Sequence, residues 1–116
     1  MNRFIPSTVV VLCGLTLATA AFAEPQGNAA RGKELFMKDK CYTCHGTRGA
    51  GGGIAGPKLA PDPLPLEAIE VQLRQPASRM PPYSPEVISD AQIADIYAYL
   101  KSIPAGKPAS QISLLK

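Results

Sequence analysis

The sequence predicts a small all-α domain, rich in loops and short of core material. Three stretches, residues 27–40, 66–76 and 89–103, place apolar side chains at helical spacing. No run alternates apolar and polar residues as a half-buried strand does, and no segment repeats. Glycine and proline crowd the connections: residues 46–65 carry six glycines and four prolines in twenty positions.

The chain opens on a different pattern. Met1-Asn2-Arg3 is a short positive start, and an apolar run follows from Phe4 to Leu17. Ala21 and Ala23 then occupy the small-residue positions of an A-x-A cleavage site. This is the signature of a secretory signal peptide over residues 1–23, cut after Ala23. A membrane anchor is the alternative, but the run is short for a span of about 20 residues. Cys13 lies within this segment. Leu12 before it is larger than the residue a lipidation signal places there, so Cys13 is read as part of the discarded leader.

The first helix is expected in GNAARGKELFMKDK. Asn28 caps it, since its side-chain oxygen can accept a free N–H of the first turn. Gly32, Leu35 and Phe36 share one face. Gly32 costs about 1 kcal/mol against alanine inside a helix, which is tolerable where another backbone must pass close by. Residues 46–65 form a loop, with Ile54, Pro57 and Leu59 available for burial. A second helix in LEAIEVQLRQP aligns Leu66, Ile69 and Leu73, and Pro76 stops it. ASRMPPYSPEV is irregular, with three prolines in eleven residues. Ser89 and Gln92 make a capping box for the last helix, whose periodic face is Ile93, Ile96, Tyr97 and Leu100, and Pro104 ends it. The domain is therefore placed at 24–103 and a tail at 104–116, without a defined conformation.

After cleavage 93 residues remain, with 11 Lys+Arg against 9 Asp+Glu, a net charge of +2. That charge is too mild and dispersed for nucleic-acid binding, and no stable membrane insertion of the mature chain is expected. Its aromatics are Phe36 and four tyrosines. Chains of this size bury a modest share of their surface and often need a staple.

DKCYTCHGTRG, residues 39–49, holds the chain's single histidine and two of its three cysteines. Four readings of Cys41, Cys44 and His45 compete. Structural zinc needs four ligands, and the mature chain has three Cys and His in all. A thioredoxin-like pair belongs beside a βαβ pattern, which is not visible. A disulfide between Cys41 and Cys44 would close a tiny loop, stabilise little, and leave His45 unexplained. Covalent haem attachment has C-x-x-C-H as its signature. There each thiol adds to a vinyl group on one edge of the porphyrin, and the histidine swings under the ring to reach the iron. Three features favour that reading. The chain is exported, and bacterial haem attachment happens outside the cytoplasm. A sixth ligand is available, because thioether sulfur suits haem iron. Met80 is 35 residues past His45, far enough to wrap the ring, whereas Met37 is eight residues before it, in the first helix, and is read as surface packing. Finally, haem supplies the apolar body that the composition lacks.

With those residues in view, the chain resembles the class I c-type cytochromes, small single-haem electron carriers, from Gly27 to about Ile103. CYTCH matches the attachment motif. AGPKL resembles the family's Gly-Pro-x-Leu turn, which implies that the Pro57 carbonyl orients His45. RMPPY resembles the distal loop, which implies Met80 as sixth ligand. Gly32 and Phe36, with Ile96 and Tyr99, match the positions where the first and last helices cross. The tryptophans that contact the haem propionates are absent, and Arg48, Arg74 and Tyr83 are the candidate substitutes.

The resemblance implies a cytochrome c-like fold: about three main helices and long loops around one covalently bound haem c per chain. It implies a cofactor site of Cys41, Cys44, His45, Pro57 and Met80, with His45 and Met80 on the iron. The function expected is a periplasmic one-electron carrier, not itself an enzyme. Its donor is a dehydrogenase or quinol-oxidising complex and its acceptor an oxidase. Alternatives are a subunit held firmly by a periplasmic dehydrogenase, docked through the tail's ISLL, and a haem-based sensor whose Met80 lets go. The tail is expected to pack back on its own domain.

Overall fold

The computed structural model describes residues 26–51 and 55–115. The leader, with Cys13, and the loop residue Ile54 lie outside the described residues. Four helices follow in order: α1 (Ala29–Lys38), α2 (Tyr42–His45), α3 (Leu66–Arg74) and α4 (Asp90–Ser102). Two short 3-10 turns, Ala109–Gln111 and Ser113–Leu115, come last. Among the described residues there is no strand, so the all-α class holds.

The caps read from the sequence set the two long helices. Asn28 accepts a hydrogen bond from the Arg31 N–H at 2.9 Å. Ser89 and Gln92 form the reciprocal box, with the Ser89 N–H donating to Gln92 at 2.8 Å and the Gln92 N–H donating to Ser89 at 3.3 Å. α1 buries Gly32, Leu35 and Phe36, the face that its spacing predicts.

α1 and α4 form the principal helix pair, and α3 packs more lightly on α4. The crossing is close enough to exclude a methyl group. A Cβ on Gly32 would lie 1.9 Å from the Asp95 carbonyl oxygen, and one on Gly27 equally near that of Ala94. The helix-breaking tendency of Gly32 is thus offset by contact between backbones. The Phe36 and Tyr99 rings meet across the crossing, 5.6 Å apart and tilted by 58°. Full burial of a side chain such as Phe36, Ile93 or Leu100 stabilises by about 1.5–3 kcal/mol.

α4 corrects one expectation. Tyr99 is buried and Tyr97 only half-buried, so the periodic count chose the wrong tyrosine and the resemblance the right one. The buried band of α4 is Ile93, Ala94, Asp95, Ile96, Tyr99 and Leu100, wider than one stripe because two helices cover it. Asp95 is the unforeseen member. Its Oδ1 accepts from the Asn28 N–H at 2.7 Å and from Arg31 Nη2 at 2.8 Å, and its Oδ2 accepts from Arg31 Nε. The carboxylate thereby pins the start of α1 onto the middle of α4.

α3 buries Leu66 and Leu73, with Ile69 half-buried, and stops at Arg74 before the Gln75–Pro76 pair. The tail differs from expectation. Its two turns pack chiefly on each other, and Leu114 is 92% exposed, so Leu114 does not pack back onto the domain.

Candidate functional site

The chain turns sharply between α1 and α2. The Lys40 N–H donates to the Met37 carbonyl at 3.2 Å and the Cys41 N–H to the Phe36 carbonyl at 3.1 Å. This double bond pattern is a Schellman cap, with Lys40 at the left-handed position (φ 60°) where glycine is usual. Strain of about 1–2 kcal/mol at a residue with a Cβ is held there by the cap's two bonds. Its effect is to deliver Cys41 directly to the start of the next helix.

α2 is a single turn. Cys41 caps it, Cys44 follows three positions on, and the His45 N–H donates to the Cys41 carbonyl at 3.1 Å. Residues three apart in a helix face the same way, so the turn presents both sulfurs on one side. The two sulfurs are not joined in a disulfide, and Cys41 is half-buried while Cys44 is exposed. Burial, and secondarily the Asp39 carboxylate, push the Cys41 thiol up to about 11. A redox-active or nucleophilic cysteine has its thiol pushed down instead. A thioether has no proton to lose, so this environment suits an alkylated sulfur.

His45 is 8% exposed. Its Nδ1 lies 2.8 Å from the Pro57 carbonyl oxygen. That oxygen can only accept, so Nδ1 carries the proton and Nε2 keeps a free lone pair. The bond anticipated between Pro57 and His45 is present. Gly56 makes it possible, and the motif reading gave that residue no role of its own. A Cβ on Gly56 would stand 2.8 Å from the Cys44 carbonyl oxygen and 3.0 Å from His45 Cε1 and Nδ1. The Gly-Pro dipeptide was the signal that marked it.

Met80 is half-buried and packs against the core, in the irregular segment after α3. Met37 is 38% exposed on α1, where it borders a shallow groove of about 410 Å³ with Lys33, Thr47, Arg48 and Tyr99. Two of the candidates for propionate contacts have other partners. Arg74 donates to the Tyr83 and Ile88 carbonyls and to Asp90, and the Tyr83 hydroxyl donates to the Asp39 carbonyl at 3.3 Å. Arg48 lines the groove.

These residues fit a covalently attached haem. Two cysteine sulfurs outside any disulfide share one face of a turn, the adjacent imidazole turns its Nδ1 to Pro57, and a thioether packs at the core from a separate loop. A nitrogen and a thioether are the donors that suit haem iron.

Comparison with known proteins gives two matches. The family model described as cytochrome c oxidase, cbb3-type, subunit III, matches residues 27–100. A Corynebacterium diphtheriae protein named cytochrome bc1 complex cytochrome c subunit is 35% identical over 77 residues. That alignment covers 65% of this chain and 27% of the relative, so the chain corresponds to a minor part of the longer protein. No solved structure matches.

Proposed function

The chain belongs to the c-type cytochrome family described as cytochrome c oxidase, cbb3-type, subunit III, and on that premise we propose that it carries single electrons through one haem c. The observation that carries the proposal is the one-turn helix at Cys41–His45, with His45 oriented by Pro57. Haem, when bound, supplies a one-electron iron couple. Cys41 and Cys44 would hold it as thioethers. His45 offers Nε2 to the iron while Pro57 keeps the proton on Nδ1, which fixes the tautomer and raises the ligand's basicity. Met80, which packs against the core from a separate loop, would supply the second iron ligand. His45 and Met80 together would leave the iron no open position for a substrate, which is the arrangement of an electron carrier and not of an enzyme. A methionine ligand and burial both raise the reduction potential.

Far-red spectroscopy tests the ligand set. The ferric protein should show a weak sulfur-to-iron charge-transfer band. Met80→Ala should abolish it and lower the potential, and Met37→Leu should leave both as they were. Loss of the band in Met37→Leu would reverse the distal assignment.

The periplasm is the proposed location, supported by the export signal over residues 1–23. Among the described residues no helix is long and apolar enough to cross a membrane. For partners, the relative is named for a bc1 complex and the family for an oxidase, so contact with one or more respiratory complexes is the reading they support. The distribution of charge bears on how such contact is made: residues 49–57 carry none, and neither does Met80–Tyr83. Steered association falls steeply with salt. Stopped-flow electron transfer to the physiological partner should therefore change only slightly between low and moderate ionic strength. A drop of about tenfold or more would show that Arg48, Lys58 and Arg79 guide the encounter.

A second reading, a subunit firmly held in a larger redox complex, is favoured by the exposed tail with Leu114 outward. Gel filtration of native extract separates the two. A free carrier elutes as a small monomer, and a held subunit elutes with its complex.

A further inference from the structure

Arg74 is one-fifth exposed although it carries a charge. Its Nη1 donates to the Tyr83 carbonyl at 2.9 Å and to the Ile88 carbonyl at 2.8 Å, and its Nη2 donates to Asp90 Oδ1 at 2.6 Å. Tyr83 is also held elsewhere. Its N–H donates to the Leu73 carbonyl at 2.8 Å, and its hydroxyl reaches the Asp39 carbonyl beside Cys41. The end of α3 thus grips both backbone groups of residue 83. Met80 stands three positions earlier, with Pro81 and Pro82 between them. Proline fixes φ, so the two rings form a stiff link from Tyr83 back to Met80.

We propose that Arg74 is a positioning residue for Met80: its clamp on the loop sets how often the thioether leaves the iron. The proposal rests on Met80 being the sixth ligand. It decides whether the centre stays a closed electron carrier or admits an outside ligand. Only arginine has the planar fork that can serve two carbonyls and a carboxylate together. When a loop must open before a ligand binds, apparent affinity scales with the fraction open. Each lost charge-assisted bond favours opening.

The test titrates the ferric holoprotein with imidazole and follows loss of the far-red band. Arg74→Gln should bind imidazole about tenfold more tightly or better. Arg74→Lys keeps a charge for Asp90 but cannot hold both carbonyls, and should fall between Arg74→Gln and wild type. Asp90→Asn leaves both carbonyl bonds and should stay within about twofold of wild type. Unchanged imidazole affinity in Arg74→Gln overturns the proposal. If that variant does not accumulate with haem, unchanged affinity in Arg74→Lys overturns it equally. Asp90→Asn binding as tightly as Arg74→Gln would also overturn it, because the cap of α4 and not the loop carbonyls would then be responsible. A wild-type protein without the band would instead remove the assignment of Met80, and the clamp's role with it.

Discussion

Alanine at both Cys41 and Cys44 should yield a chain without covalent haem that has lost most of its helical signal. The reason is the size of the core. Among the described residues, the largest side chains that are fully buried are Phe36, Ile88, Ile93, Leu100 and the charged Asp95. A domain this small is marginal on such a core, where ordering each residue's backbone costs about 1–2 kcal/mol. α2 belongs to neither principal helix pair and is held by loop contacts, chiefly the His45–Pro57 bond and the packing of Cys41 on the core. Far-UV circular dichroism and haem staining after denaturing electrophoresis report the two losses separately. A double variant that is helical, haem-free and cooperatively folded would show that the polypeptide stands alone.

Asp95→Ala should destabilise the domain by about 2–3 kcal/mol, the scale for a buried charged acceptor losing its hydrogen bonds. For a domain of this length that is a fall in melting temperature of roughly 10–20 °C. The Arg31 guanidinium, and secondarily the Asn28 N–H, hold the Asp95 carboxyl below its usual range against the opposing effect of burial. A depressed carboxyl stabilises fully above its unfolded value of about 3.9 and loses that contribution as pH falls through the folded value. The gap between variant and wild type should therefore be full at neutral pH and close in acid. Thermal melts across a pH series check both parts. An equal gap at every pH would mean that lost packing, not lost charge, is responsible.

Much of this was legible because local chemistry carried it. Asn28, Ser89 and Gln92 cap helices by reaching residues three positions away, and Gly32 announced a close approach by its misfit. The attachment motif is legible for the same reason, since one turn of chain holds Cys41, Cys44 and His45. What escaped depends on distant partners. Asp95 reads as an exposed helix residue until Arg31, 64 positions away, is brought beside it. Tyr97 and Tyr99 both satisfy helical spacing on some face, and only the arrangement of α1 and α3 around α4 chooses between them. Ile88 is fully buried yet lies in no periodic run. Lys40 conceals its turn, because residue type there would suggest anything but a left-handed backbone.

The pairing of α1 with α4 also bears on the order of folding. These are the first and last of the four helices, so their contact closes a loop from Lys38 to Asp90. Loop entropy rises only logarithmically with length, but contacts so distant in sequence slow folding compared with a bundle of neighbouring helices. As the chain is made from its N-terminus, Leu35 and Phe36 have no native partner on α4 until residues 90–102 exist. Through that interval their apolar face is open to other chains, a period in which partly made domains aggregate. The α1–α4 pair cannot then be completed until Ser102 has been made.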